Sequence, residues 1–177
     1  YRIENVGGIG NFEVYPNRDS VPYKEIYGLK DALTVMRGTY RNIGWCDTFK
    51  KIVDLGLVDE TDNPALKGIS YKQMMADIAG VSLNDDIIAA IAEKACIEKD
   101  HFVMKNLDWL GLFSDKPVPL CSSYLDILSN ALQDKLFYKD GEKDMIILRH
   151  TFVIENNDGS EQTATSTMTD YGIPYAD

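Results

Sequence analysis

The feature that most constrains this chain is a double change of hydrophobic period. The pattern alternates near the start, recurs every three to four residues through the middle, and alternates again near the end. Side chains switch faces at each residue of a strand but return to one face of a helix only after three or four, so the two patterns call for different elements. Segment 11–16 puts Phe12 and Val14 on one side of a strand. Segment 33–41, rich in β-branched and aromatic residues, predicts a second strand. From Ile43 the apolar residues Ile43, Cys46, Phe49, Ile52 and Val53 mark one helical face, and Gly56 stands where a left-handed stop is wanted. Three further helix starts are predicted at Ser70 with Gln73, Ser82 with Asp85, and Ser123 with Asp126. At each, the hydroxyl can accept an amide three residues on while the partner side chain reaches back. Apolar stripes follow them: Met74 and Ile78; Ile87, Ile88 and Ile91; Leu125, Leu128, Leu132 and Leu136. Another helix is expected over 98–110.

Strand character returns at 145–155, with Ile146, Leu148, Phe152 and Ile154 on one face. Asn-Asn-Asp-Gly at 156–159 then turns the chain into a return strand at 161–168. The expected fold is α+β: a mixed or antiparallel sheet domain built from 1–42 and 140–177, interrupted by an all-helical insertion at 43–139.

The chain has 177 residues, 45% of them hydrophobic, enough for one sizeable core or two coupled ones. No uncharged apolar run reaches the length of about 18 that a membrane span needs, so no membrane partner is expected and the cytoplasm is the default compartment. Cys46, Cys96 and Cys121 are odd in number and far apart, which predicts reduced core thiols. The net charge of −10 argues against a nucleic-acid partner. That charge is uneven: residues 1–41 sum to +1, and four of the five arginines lie there. The chain opens on Tyr1 rather than Met and ends just after a Gly-Ile-Pro turn, so it is expected to be a piece of a longer protein.

Most catalytic chemistry is poorly supported. Gly-Gly-Ile-Gly at 7–10 lacks the third glycine of a dinucleotide fingerprint, that position being Glu13, and no helix pattern follows, so a loop is expected and no cofactor-binding residue is assigned. His101 and His150 have no ligand-spaced companions, so no metal site is assigned, and His150, on a face with Leu148 and Phe152, is expected to be a satisfied core histidine. The acidic runs around Asp85, Glu93 and Glu142 suit solvated surface. What remains is Arg18, Arg37 and Arg41, at or beside strand ends, with Ser20 and Thr39 nearby. A guanidinium can hold a carboxylate through two parallel N–H donors, and a hydroxyl or a backbone amide beside Gly38 can complete the shell. Ordinary surface pairing with Asp19 or Glu25 suits the same spacing.

The strings YPNRDS with YKEIYGL, then RGTYR, LDWLGLFSD and HTFVIENNDGSEQTATSTMTDYG follow one another in the order and spacing of the glutamate-forming saccharopine dehydrogenases, also called saccharopine reductases. The chain resembles that family over nearly its whole length after residue 12. The resemblance implies an oxidoreductase that reduces the imine between 2-aminoadipate semialdehyde and glutamate to saccharopine, or runs the reverse oxidation, in lysine metabolism. It implies a substrate-binding and dimerisation domain with a helical insertion. The dinucleotide-binding Rossmann domain, with its NADP or NAD, would lie outside this chain, which alone would bind no cofactor and be inactive. By the same resemblance Arg18 and Thr39 line the substrate site, Gly38 and Arg37 are their neighbours there, and no catalytic residue falls in the chain. The expected partners are saccharopine or a similar multi-carboxylate amine and a second copy in a homodimer. A carboxynorspermidine dehydrogenase-like enzyme and a non-catalytic interaction module are the alternatives.

Overall fold

A computed structural model describes residues 1–120 and 123–175; Cys121, expected as a core thiol, lies outside the described residues. The chain divides into two compact units, Tyr1–Lys135 and Leu136–Asp177. The fold is α+β, as the periodicity predicts.

The first unit opens with an antiparallel sheet of β1 (Arg2–Val6), β2 (Gly10–Pro16) and β3 (Gly38–Arg41), with β2 in the centre. Gly-Gly-Ile at 7–9 makes the tight turn between β1 and β2, closed by the Ile9 amide on the Val6 carbonyl. β1 was not foreseen: its sequence is mostly polar and only Val6 is buried. Segment 33–41 was expected to be strand throughout, but only its last four residues are. Leu33 and Met36 face solvent with no neighbouring strand to pair with. A one-turn helix, α1 (Tyr23–Ile26), lies between β2 and β3.

The helices follow as α2 (Trp45–Asp54), a 3-10 turn at Pro64–Leu66, α3 (Tyr71–Ala79), α4 (Ile87–Lys94), α5 (Phe102–Trp109) and α6 (Tyr124–Leu136). They enclose one apolar core, where Ile52, Leu57, Met74, Met75, Ile91, Leu107, Leu112, Ile127 and Leu128 are almost fully buried. Each such side chain contributes roughly 1.5–3 kcal/mol through removal from water. Ser70 caps α3 by accepting from the Gln73 amide at 3.1 Å, and Ser123 accepts from Asp126 at 3.2 Å. Ser82 departs from expectation. Its hydroxyl takes the Asn84 amide in a local turn, and α4 starts later, capped by Asp86 on the Ala89 amide at 3.0 Å. A serine bonding two residues ahead competes with the helical path, which explains the delay. Cys46 is half-buried, while Cys96 is exposed at a left-handed residue with φ 53°, so the expectation of a core thiol fails for Cys96.

The second unit is an antiparallel ribbon of β4 (Met145–Glu155) and β5 (Glu161–Tyr171), paired residue by residue from Met145↔Tyr171 to Glu155↔Glu161. The turn is closed by the Asn156 amide on the Ser160 carbonyl at 2.8 Å and needs a positive φ at Gly159. Much of the ribbon's apolar surface is open, with Ile146, Leu148, Phe152, Val153 and Ile154 all more than 40% exposed, while Ile147 and Arg149, on the same face as Val153, are half-buried. His150 is exposed as well, so it is not a core histidine. A two-stranded ribbon supplies no second layer against which either face could be fully buried.

Candidate functional site

The β2–β3 ladder runs out at Pro16↔Gly38, and one more backbone bond continues it, from the Asn17 amide to the Arg37 carbonyl at 2.9 Å. Arg18 follows at once, in a left-handed conformation with φ 58° that side-chain-bearing residues rarely hold. Ser20, only 9% exposed, accepts the Arg37 amide through its hydroxyl at 2.9 Å and the Tyr23 amide through its carbonyl at 3.1 Å. The loop leaving β2 is thereby tied to the segment entering β3. Arg18, Arg37, Gly38 and Thr39 converge at this one end of the sheet.

Gly38 is required there by close approach. A Cβ at that position would stand 2.8 Å from Val14 Cγ1 and 3.2 Å from the Tyr15 carbonyl oxygen. Thr39 lies opposite Tyr15, and Arg41 opposite Glu13. Alternation puts Thr39 and Arg41 on the same face, with Arg37 continuing that series beyond the strand.

Arg37 and Arg41 rest on aromatic rings, not on carboxylates. The Arg37 guanidinium carbon is 4.1 Å from the centre of the Tyr23 ring, and that of Arg41 is 5.1 Å from the Trp45 ring, with Arg41 also donating to the Tyr40 carbonyl at 3.2 Å. The ion pairs among the described residues join Arg2 to Glu4, Lys50 and Lys51 to Asp54, and Lys99 to Asp86; none engages Arg18, Arg37 or Arg41. Surface pairing with Asp19 or Glu25 is therefore not what these arginines do. The Asp19 carboxylate instead accepts the Val21 amide at 2.9 Å.

At the other end of the β2–β3 ladder, opposite Arg41, lies a buried carboxylate. Glu13, 2% exposed, accepts the amides of Gly44 and Cys46, each at 2.7 Å. These are donors at the start of α2, whose N-cap Gly44 has no side chain to offer them. Burial opposes ionisation of Glu13, but the Cys46 and Gly44 amides and the Cys46 thiol outweigh it and hold its pKa below the ordinary glutamate value. Burial and the contact with Glu13 push the Cys46 thiol up to about 11, so it stays protonated and unreactive at neutral pH. Trp45 stacks on Tyr15 and Phe49, with ring centres 5.4 and 4.8 Å away, and so continues the link from sheet to helix.

Sequence reasoning singles out the arginines through their clustering in an acidic chain. It missed Tyr23 and Glu13. The one available signal for Glu13 was a glycine where α2 needed a capping side chain, which asks for an acceptor from elsewhere. Among the described residues no group of His, Cys, Asp and Glu could hold a metal ion, and no helix is long and apolar enough to cross a membrane.

A family model described as the saccharopine dehydrogenase C-terminal domain matches residues 1–176. The saccharopine dehydrogenase (NADP+, L-glutamate-forming) of Pyricularia oryzae is 38% identical over 169 residues, covering 92% of this chain and 38% of that protein. The mitochondrial alpha-aminoadipic semialdehyde synthase of Bos taurus is 37% identical over 169 residues, covering 92% of this chain and 18% of that protein. The solved structure of apo histidine-tagged saccharopine dehydrogenase (L-Glu forming) from Saccharomyces cerevisiae superposes with a TM-score of 0.87 at 35% identity, covering 97% of this chain and 40% of that one. The chain thus spans well under half the length of these relatives. With a match over residues 1–176 and the same fold in a relative of this identity, the chain belongs to the saccharopine dehydrogenase family, in its C-terminal domain.

Proposed function

We propose that this chain is the substrate-binding and dimerisation portion of an oxidoreductase that forms or oxidises saccharopine with NADP. The observation that carries the reading is the set of arginines free of carboxylate partners at one sheet end, in a chain of net charge −10. Saccharopine bears three carboxylates and a secondary amine, so it offers such cations several anions to bind. Arg18 and Arg37 hold substrate carboxylates, the Thr39 hydroxyl adds a hydrogen bond, and Gly38 leaves room for a close approach to the backbone. NADP bound by the remainder of the whole protein would supply the hydride-transfer chemistry. This chain's residues fix the carboxylates so that the substrate is presented correctly. The NADP assignment follows from the names of the relatives.

The test is saccharopine-dependent reduction of NADP by the full-length protein. Arg18→Ala removes charge-assisted hydrogen bonds worth roughly 1.5–3 kcal/mol, so KM for saccharopine should rise about 10-fold or more. Unchanged kinetics in that variant would remove Arg18 from the site.

We also infer that 1–42 and 140–177 act as one α+β domain in the whole protein, with 43–139 inserted, and that its sheet carries a homodimer interface. The support is the ribbon itself, which carries Ile146, Leu148, Phe152 and Ile154 exposed along one face. Sedimentation of the full-length protein as a monomer at high concentration would count against the dimer.

A further inference from the structure

The Arg37 guanidinium rests on a ring where a surface arginine commonly meets a carboxylate. Its central carbon is 4.1 Å from the centre of Tyr23, and no ion pair among the described residues includes it. A carboxylate partner would neutralise the cation and occupy its donors. A ring face attracts the cation through the quadrupole and leaves the in-plane N–H groups available. The backbone fixes both members of the pair. Ser20 holds the Arg37 amide with its hydroxyl at 2.9 Å and the Tyr23 amide with its carbonyl at 3.1 Å, and the Asn17 amide holds the Arg37 carbonyl at 2.9 Å. The Tyr27 ring packs against Tyr23 with centres 5.4 Å apart. One buried serine thus anchors the backbones of both the ring and the cation.

We propose that Tyr23 is a positioning residue: its ring orients the Arg37 guanidinium as an open receptor for a substrate carboxylate. This rests on the reading that Arg37 binds such a carboxylate. An arginine free in solvent gives up the freedom of a long side chain when it captures a ligand, whereas one already laid on a ring has less to lose. Tyr23 therefore contributes to affinity through Arg37, and to the anionic amine in preference to the cofactor.

The experiment compares Tyr23→Leu, Tyr23→Phe, Arg37→Met and the Tyr23→Leu/Arg37→Met pair in the full-length protein, by steady-state saccharopine oxidation with NADP. Tyr23→Leu should raise KM for saccharopine about 5- to 20-fold, with kcat and the KM for NADP nearly unchanged. Tyr23→Phe, which keeps the ring, should restore the wild-type value. The double variant should be no worse than Arg37→Met alone, because the two residues act as one unit. A weakened Arg37→Met beside a normal Tyr23→Leu would overturn the positioning role and leave the carboxylate reading intact. An unaffected Arg37→Met would remove that reading at Arg37 and the positioning role with it. Equal losses in all kinetic constants, unrescued by phenylalanine, would mark a general distortion and also overturn the proposal.

Discussion

Arg18 holds its left-handed backbone at a cost that asparagine or glycine would largely avoid, on the order of 1–2 kcal/mol. Arg18→Asn should therefore melt at the same temperature as the wild type or higher, while KM for saccharopine rises about 10-fold. A variant that loses stability would mean the strain is offset by contacts of the side chain. Glu13 presents the opposite case. Glu13→Ala would leave two amides at the start of α2 without an acceptor, and unfolding by urea should report a loss of about 3 kcal/mol. Because its pKa is depressed in the fold, its contribution is complete above the ordinary glutamate value and is lost as pH falls through the lower folded value. The urea midpoint of the native chain should drop as pH falls through and below the ordinary glutamate range, and that of Glu13→Gln should drop less. The roles of Glu13 and Tyr23 were not legible in the sequence for a simple reason. Glu13 meets its donors 31 and 33 residues away, and Tyr23 meets Arg37 only because a loop and a strand are tied at Ser20. The arginines themselves were legible because composition alone isolates them.

Among the elements, local rules worked wherever a local interaction decides. Ser70 and Ser123 cap as their spacing predicts, and the turn between β4 and β5 sits on the Asn-Asn-Asp-Gly string. They failed where a competing local bond was available. At Ser82 the reach-back from Asp85 to the Ser82 amide forms at 2.8 Å, but the hydroxyl is taken by Asn84 and the helix waits for Asp86. Thermal melts should separate these roles: Ser70→Ala is expected to cost about 1 kcal/mol, Asp86→Ala to lower the melting temperature, and Ser82→Ala to change it little. Strand length was the other failure. The apolar residues of 33–37 carry strand propensity, yet β2 offers backbone partners only as far as Arg37, so Leu33 and Met36 remain in solvent. Propensity describes a residue's fitness for a pleated surface and is silent on whether a neighbour exists.

For the whole molecule, the succession of strands, helices and strands could be read from period alone, and so could the α+β class. The division at Lys135 could not, because it depends on which elements touch. The ribbon's exposed apolar face bears on assembly: in the full-length protein, Leu148→Asp with Phe152→Asp should shift sedimentation toward monomer if the sheet forms the proposed dimer. An unshifted dimer would move the interface elsewhere. The carboxylate of Glu13 has one further consequence. It belongs to the central strand of the first sheet, yet it completes the first turn of α2, so neither element can open while the other keeps all its bonds. Amide protons of Gly44 and Cys46 should then exchange with deuterium only as fast as β2 itself opens, which would make the sheet and the start of the helical block a single cooperative unit of local unfolding.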